Sequence, residues 1–272
     1  MSILLAVDIG NSTIGFGIFL NPIKNTKLFI KKIPTHPILS AEAYKKIIAE
    51  IIEHFTHSPI HPFTHSPRID SIISSVVPSI DRSIIEAIKN ICGRKPVIVS
   101  HKTDCGISFD VKRPEKIGAD RIANAVAGFH YFKRPAAVID FGTATTITVI
   151  GRQENLLGGT IMPGIDMMQM ALYSGTAKLP PVQLKMPKTV LGKDTASAIT
   201  SGIIHGTAGA AESLIKGMEK ELGFRLKLVL TGGHANLMSH LIKRDHRLAP
   251  NLTFEGLRLI YLKVKSEKQN KE

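Results

Sequence analysis

The alternation of apolar and polar stretches at the start of the chain predicts a β-hairpin with an acidic residue at its mouth. Residues 3–7 form an unbroken apolar run, a polar segment with one glycine occupies 8–13, and a second β-prone run covers 14–19. A short apolar run closed by turn residues is typical of a buried strand. An exposed turn of this composition can direct backbone N–H groups and hydroxyls at a phosphate. On this stretch alone, an ordinary hairpin that happens to contain Asp8 explains the pattern equally well.

A second copy of this pattern lies half the chain away. Residues 136–150 consist of an apolar run, the segment from Asp140 to Gly142, a threonine-rich turn and another apolar run. Asp8 and Asp140 occupy the same place in the two copies. A repeat at this spacing predicts two lobes of similar build, because the repeats of solenoid proteins are much shorter. Two turns that each carry a carboxylate and hydroxyls also suit a nucleotide–metal site.

The remaining pattern of the first half predicts the order β-β-β-α-β-α-β. After the hairpin we expect strands at 27–33, 69–77 and 96–100, and helices at 41–55 and 82–91. Ser40 is a plausible cap of the first helix, and Ser79 or Asp81 of the second. This order resembles the ribonuclease-H-like lobe of the sugar kinase, Hsp70 and actin superfamily. We therefore predict an α/β fold of two such lobes, at 1–115 and 116–272.

In the second half, Asp120 and Arg121 stand at or just before the start of a predicted helix. Free N–H groups and the helix dipole favour an anion there, although Asp120 can also act only as a cap. The other predicted elements are a glycine- and proline-rich loop at 156–164, helices at 165–173, 196–218 and 252–262, a surface loop at 176–189, a strand at 226–230 and a frayed tail at 263–272. The paired glycines in the turn at 231–235 would let the backbone approach a nucleotide, but this motif is weak because many strand–helix turns resemble it.

Composition and charge restrict the classes of function. No apolar run reaches the roughly 18 residues of a membrane span, and a signal peptide pattern is missing at the start, so we expect no membrane partner. Two cysteines are too few for a disulfide framework and fit a cytoplasmic protein. The net charge of +13 is scattered and is not interleaved with aromatic residues, so we expect no nucleic-acid partner. The histidine- and proline-rich segment 54–67 favours a solvent loop over a metal site.

Five motifs together resemble the type III pantothenate kinases over nearly the whole chain. In chain order they are the DIGNST segment at 8–13, GADR at 118–121, DFGTAT at 140–145, the pair Gly158-Gly159 together with Pro163-Gly164, and GKDT at 192–195. The resemblance implies ATP-dependent phosphorylation of pantothenate to 4'-phosphopantothenate, the first step of coenzyme A biosynthesis.

The same resemblance implies a role for particular residues. The ATP phosphates would be held by Asp8, Ile9, Gly10, Asn11, Ser12, Thr13, Ile14 and Gly15, with Thr143 also touching ATP. Asp8 would lie near Mg²⁺, and Asp140 would hold a monovalent cation, K⁺ or NH₄⁺. Pantothenate would contact Gly118, Ala119, Asp120, Arg121, Thr195 and the wall at Val111, with Asp120 as general base. The family forms homodimers, so we expect a homodimer in the cytoplasm.

Two positions depart from the family pattern, and three alternatives remain open at this stage. Val111 stands where a tyrosine is usual, and Asp194 where asparagine is commoner. A regulatory protein of the same fold would lack the chemistry that the acids at 8, 120 and 140 suggest. A kinase for another small alcohol draws support from Val111, and a nucleic-acid-binding module draws support only from the net charge.

Overall fold

The computed structural model describes residues 2–23, 27–56 and 68–269, which form two compact units. The first unit contains Met1–Ile107, Lys112–Ala127 and Thr253–Glu272, and the second contains Ser108–Val111 and Gly128–Leu252. The chain therefore returns to the first unit twice after residue 107. Residues 116–127 and 253–269 thus group with the first unit.

The first unit is built on a five-stranded sheet that has the predicted order of elements. These are β1 (Ser2–Ile9), β2 (Thr13–Leu20), β3 (Lys27–Pro34), α1 (Ala41–Thr56), β4 (Arg68–Ser75), α2 (Pro78–Cys92) and β5 (Val97–Ile98). In space the strands lie in the order β3-β2-β1-β4-β5. Strand β1 pairs antiparallel with β2 and parallel with β4, so its carboxyl end is flanked by strands on both sides.

The second unit repeats this arrangement and adds one strand at the edge. Its elements are β6 (Ser108–Phe109), β7 (Ala136–Phe141), β8 (Ala144–Ile150), β9 (Asn155–Pro163), α4 (Ile165–Gly175), α5 (Thr195–Leu222), β10 (Lys227–Thr231), α6 (Ala235–Ser239) and β11 (His246–Leu248). The strand order is β11-β10-β7-β8-β9-β6. Strand β7 pairs antiparallel with β8 and parallel with β10, as β1 does with β2 and β4. The predicted similarity of the two lobes is confirmed.

The remaining elements are a 3₁₀ turn at Pro114–Lys116, α3 (Ala119–Phe132) and α7 (Leu252–Gln269). Alternate residues of a strand face opposite sides of a sheet. The side of β1 that carries Ile3, Leu5, Val7 and Ile9 packs into one apolar core with α1 and α2. Helix α7 covers the other side.

Glycines let α7 approach the sheet and α3 closely. A Cβ atom at Gly15 or Gly17 of β2 would lie 2.7 or 2.6 Å from the ring of Phe254. A Cβ atom at Gly256 would lie 2.0 Å from the backbone oxygen of Ala123 in α3. Since Gly15 is paired with Asp8, Phe254 covers the side of the sheet that carries Asp8. Helix α7 thereby fixes α3 against the first unit.

The predicted start and cap of one helix and the predicted end of another were wrong, and each has a local reason. Helix α2 begins at Pro78 rather than 82, because proline suits the first helical position. Its cap residue is Val77, and Asp81 instead accepts a hydrogen bond from the Ser75 hydroxyl. Helix α7 continues to Gln269, whereas we expected a frayed tail from 263; the Lys263–Glu267 ion pair supports this extra length.

The predicted loop at 156–164 is instead a strand, β9. Gly158 and Gly159 have φ of +127° and +153°, which other residues rarely adopt. They pair with β8 beside a register shift at Val149 and Ile150, so the glycines permit an irregular strand rather than a turn.

His54 lies within α1, and residues 57–67 of the histidine- and proline-rich segment lie outside the described residues. Within the described part of the chain, no helix is both long and apolar enough to cross a membrane.

Asp70 connects β4 to α7. Its carboxylate accepts a hydrogen bond from the Tyr261 hydroxyl, and Arg68, Arg94 and Lys265 place nitrogens 3.5, 3.1 and 3.5 Å from it. Burial opposes ionisation of Asp70, but the Tyr261 hydrogen bond and the three cations outweigh burial and lower its pKa.

We predict that Asp70→Asn lowers the free energy of unfolding at pH 7 by about 1–2 kcal/mol, a modest value because Arg68 and Arg94 are half exposed. A lowered pKa in the folded state stabilises the fold above the ordinary Asp pKa of about 4, and this stabilisation is lost as the pH falls through the folded value. Denaturant unfolding from pH 7 to 3 should therefore show the difference between variant and wild type shrinking below about pH 4. The exposed ion pair between Glu42 and Lys45 provides the control, because Glu42→Gln should change the free energy of unfolding little. A difference that stays constant down to pH 3 would contradict the role of the ionised carboxylate.

Candidate active site

The tip of the first hairpin is exposed and is held from behind by Thr35. Asn11, Ser12 and Thr13 are exposed at the turn, where the Gly10 N–H donates to the Thr13 carbonyl at 3.0 Å. Thr35 is fully buried; its hydroxyl donates to the Gly10 carbonyl at 2.7 Å and its N–H donates to the Ser12 carbonyl at 3.1 Å. Thr35 fixes the backbone of the turn while the polar groups of the tip remain accessible.

Asp8 is the last residue but one of β1, and its neighbours are set by strand pairing. It lies opposite Gly15 on β2 and is in register with Ser74 on β4. Residues in register on parallel strands face the same side, so Ser74 lies beside Asp8 on the side that α7 covers. Val76 continues this row, and its N–H donates to the Ile9 carbonyl at 3.0 Å.

The segment 118–121 reaches the same row. A Cβ atom at Gly118 would lie 3.3 Å from a methyl group of Val76 and 2.4 Å from Oδ1 of Asp120. A side chain at position 118 would therefore displace the Asp120 carboxylate, which folds back over the turn. Within the first unit, the turn before α3 therefore lies against Val76, whose N–H is bonded to the last residue of β1.

Asp120 lies in the first turn of α3, and its environment disfavours the charged form. Burial raises the pKa of its carboxyl, while the hydrogen bond from the Arg121 N–H, at 2.8 Å, and the Arg121 charge act in the opposite direction. Burial likewise lowers the pKa of Arg121, against the attraction of Asp120. A partly buried acid with a raised pKa beside an arginine is the arrangement expected of a proton acceptor.

In the second unit, two glycine turns enclose the Asp140 carboxylate. Asp140 is the last residue but one of β7, and Thr146 and Thr231 flank it on β8 and β10. A Cβ atom at Gly142 would lie 3.2 Å from Oδ1 of Asp140, and one at Gly232 would lie 2.4 Å from the same oxygen. The turn at 231–235, in which the sequence indicated only a weak nucleotide site, is thus part of the surroundings of Asp140.

The other predicted residues of this unit stand on separate segments. Thr143 is exposed in the turn after β7, and a Cβ atom at Gly164 would lie 2.1 Å from its carbonyl oxygen, so the start of α4 packs against that turn. Val111 follows β6 and is partly buried. Thr195 is exposed as the first residue of α5.

Asp194, the second departure from the family pattern, is the cap of α5. Its carboxylate accepts hydrogen bonds from the N–H and the hydroxyl of Ser197, at 2.9 and 2.8 Å, and these bonds lower its pKa. Both aspartate and asparagine cap helices well, so the substitution preserves the start of α5 beside Thr195.

Sequence reasoning missed Thr35, Ser74 and the pair of Asp166 and His234. The carboxylate of Asp166, in the first turn of α4, lies 2.9 Å from Nε2 of His234, which follows the paired glycines. No local motif marks these residues, because each acquires its partner through strand pairing or the packing of distant segments. Among the described residues, no group of three or more His, Cys, Asp or Glu side chains is arranged to hold a metal ion.

We predict that Gly232→Ala lowers the free energy of unfolding by about 2 kcal/mol or more, because φ is +95° and the new methyl group would meet Asp140 and the Phe141 backbone. Gly233→Ala is the matched control, since open space surrounds that position, and it should change stability by less than about 0.5 kcal/mol. Denaturant unfolding monitored by circular dichroism compares the two. Equal effects of the two substitutions would show that Gly232 is not constrained by Asp140.

Comparison with known proteins assigns the chain to a protein family. The family profile described as type III pantothenate kinase matches residues 4–217. Type III pantothenate kinases from Moorella thermoacetica and Persephonella marina are 33% and 35% identical to the chain over 258 residues, which are 95% of this chain and 98% of each relative. The ADPNP-bound activator of the 2-hydroxyisocaproyl-CoA dehydratase from Clostridium difficile has a similar structure, with a TM-score of 0.53 at 11% identity and coverage of 98% of this chain and 97% of the other. This likeness shows a shared fold and supports the predicted α/β architecture. The chain therefore belongs to the type III pantothenate kinases, the enzymes that phosphorylate pantothenate in coenzyme A biosynthesis.

Proposed function

We propose that the chain transfers the γ-phosphoryl group of ATP to the primary hydroxyl of pantothenate, with Asp120 as the general base. The observation that carries this proposal is the position of Asp120 within the first unit. It is a partly buried acid with a raised pKa, and the turn before it touches Val76 in the row of residues that begins at Asp8. Phosphoryl transfer depends mainly on positioning and on the neutralisation of charge, so few groups suffice.

Residues 8–15 hold the ATP phosphates in this proposal. The exposed hydroxyls of Ser12 and Thr13 and the N–H groups of the turn supply donors to phosphate oxygens. Mg²⁺ fits this end of β1, because it takes hard oxygen ligands, keeps several waters and is commonly bound by one or two carboxylates together with phosphates. Asp8 provides such a carboxylate, and Mg²⁺ when bound neutralises phosphate charge.

Asp120 accepts the proton of the pantothenate hydroxyl as that oxygen attacks the phosphoryl group. Its raised pKa makes it a stronger base than an ordinary aspartate, and the Arg121 charge acts to keep it ionised. Arg121 also pairs with the carboxylate of pantothenate, for which a guanidinium is well suited. Gly118 and Ala119 allow the substrate to approach the start of α3.

In the second unit, Asp140 binds a monovalent cation, K⁺ or NH₄⁺, and Thr143 contacts ATP. The support for the cation is that the Asp140 carboxylate, a hard oxygen ligand, lies close to the backbone of two glycine turns. Thr195 and Val111 contact pantothenate, and valine in place of tyrosine gives that wall a smaller side chain.

The family assignment does not favour the alternatives of a regulatory protein, a nucleic-acid-binding module or a kinase for another alcohol. Action in the cytoplasm stays a prediction.

We also propose a homodimer formed through α4 and α5 of the second unit. Cβ atoms at Gly202, Gly206 and Gly209 would point into open space, so this side of α5 permits close approach of another helix. The groove between the two helices has a volume of about 630 Å³ and an almost wholly apolar lining. Exposed apolar side chains of α4 lie in the same unit, namely Met167, Met170 and Tyr173.

We expect the wild-type chain to sediment as a dimer and Gly206→Arg as a monomer. The arginine has room in the single chain, so it should disturb only the association of two copies. Sedimentation velocity at micromolar concentration measures the change, and circular dichroism verifies that the variant is folded. Lys220→Ala, an exposed change on the same helix, should leave the dimer intact. A wild-type chain that sediments as a monomer would contradict the proposed assembly.

We predict that Asp120→Asn folds normally and loses turnover by about a thousandfold, because asparagine cannot accept the proton. The melting temperature should equal or exceed that of the wild type, since burial already disfavours the ionised carboxylate. Pantothenate-dependent ADP release, measured with and without K⁺, tests the reaction and the base together. Asp245→Asn, at a side chain that is 94% exposed, is the control and should retain full activity. Wild-type-like turnover in Asp120→Asn would remove Asp120 as the base.

A further inference from the structure

We propose that Ser74 is a positioning residue for the divalent cation beside Asp8. In this proposal, which rests on the proposed function, the Ser74 hydroxyl forms a hydrogen bond with a water of the cation's hydration shell when Mg²⁺ and nucleotide bind. None of the five motifs that carry the family resemblance contains Ser74. Its place is defined by strand pairing and by its unsatisfied hydroxyl.

The register of the first sheet places Ser74 next to Asp8. The Cα atoms of Asp8 and Ser74 are partners in the parallel ladder between β1 and β4, and neighbouring strands lie about 4.8 Å apart. Both side chains face the side that α7 covers. Val76, two residues further along, touches the turn at Gly118 that leads to Asp120. Ser74 therefore lies in the row that runs from the proposed metal ligand towards the proposed base.

The hydroxyl of Ser74 is buried and lacks a hydrogen-bond partner among the described residues. The residue has no exposed surface, and its Oγ forms no hydrogen bond with any part of the chain that the structure describes. The adjacent Ser75 is different, because its hydroxyl donates to Asp81 at 2.5 Å and accepts from the Val77 N–H at 3.1 Å. Buried polar groups in native proteins nearly always have a partner, which can be a water or a ligand. Bound water at Asp8 would supply the missing partner of Ser74.

The chemistry of a serine favours a water of the hydration shell over direct ligation. Mg²⁺ dehydrates reluctantly and usually keeps several waters. A hydroxyl can donate to one such water and accept from another, so it can orient the shell without replacing any member of it. Groups that orient a metal's ligands in this way typically change metal affinity or activity 10- to 100-fold when they are removed.

The experiment measures the Mg²⁺ dependence of nucleotide binding without turnover. Thermal melting is followed with a non-hydrolysable ATP analogue at increasing Mg²⁺, because a ligand of the folded state raises the melting temperature. For Ser74→Ala we expect an unchanged or higher melting temperature without ligand, since an unsatisfied hydroxyl is removed. We expect the Mg²⁺ concentration at half-maximal stabilisation to rise about tenfold.

Ser71→Ala is the matched control. Ser71 is also a buried serine of β4, but it lies on the opposite side of the strand, where its hydroxyl faces the Cys92 thiol, so its Mg²⁺ midpoint should equal that of the wild type. Ser74→Thr and Ser74→Val form a second matched pair that differs only in the hydroxyl, and they give the same comparison if alanine prevents folding. We expect the threonine variant to require less Mg²⁺ than the valine variant.

The possible results separate the two proposals. Equal Mg²⁺ midpoints for Ser74→Ala and the wild type, or for the threonine and valine variants, would overturn the role of Ser74 and leave the proposed kinase site intact. A lower ligand-free melting temperature with an unchanged midpoint would show a purely structural serine and would also overturn the inference. A wild-type chain that Mg²⁺ and the analogue do not stabilise would contradict the Mg²⁺–ATP site itself, and the Ser74 inference with it.

Discussion

The pairing of one central strand, antiparallel on one side and parallel on the other, is the constraint on which each unit depends. In both units this strand ends one residue after an aspartate, so the carboxylate stands at the edge of the sheet between two neighbouring strands. A hairpin turn connects this strand to its antiparallel neighbour. The parallel neighbour ends at the same side of the sheet, and the turn that follows it lies beside the hairpin turn. The same topology therefore creates two acidic strand ends, and the residues beside each end determine its chemistry.

Those neighbouring residues differ between the units in a way that matters for function. Gly15 and the buried Ser74 lie beside Asp8, and the turn at 10–13 that follows β1 is exposed at residues 11–13 and contains two hydroxyls. Beside Asp140, the parallel strand continues into Gly232, whose backbone closes over the carboxylate. An open turn with N–H groups and hydroxyls suits a phosphate chain, whereas a carboxylate enclosed by backbone suits a small cation. Duplication of the topology thus does not imply duplication of the role.

The sequence was sufficient to predict the elements whose signals are local. The two hairpins, the order of elements in the first lobe and the position of Asp120 at the start of a helix depend on apolar runs and turn residues, and all of them are found in the structure. Strand β9 was missed because paired glycines usually indicate a turn, and its ladder with β8 is a tertiary contact. The register of Ser74, the bonds of Thr35 and the extension of α7 likewise depend on segments distant in sequence, so no local pattern could reveal them.

Two acids of the first unit show why Asp120 is the one suited to accept a proton. Asp70 and Asp120 are both opposed by burial, which raises the pKa of a carboxyl. Around Asp70, a tyrosine hydroxyl and three cations outweigh that effect, so the carboxylate is stabilised as an ion and becomes a weak base. Around Asp120, the backbone N–H groups of residues 120 and 121 and the Arg121 charge oppose burial but do not outweigh it, so the pKa stays raised. The partners of each carboxylate, rather than burial itself, make Asp70 a link between β4 and α7 and leave Asp120 with the raised pKa that the proposed general base requires.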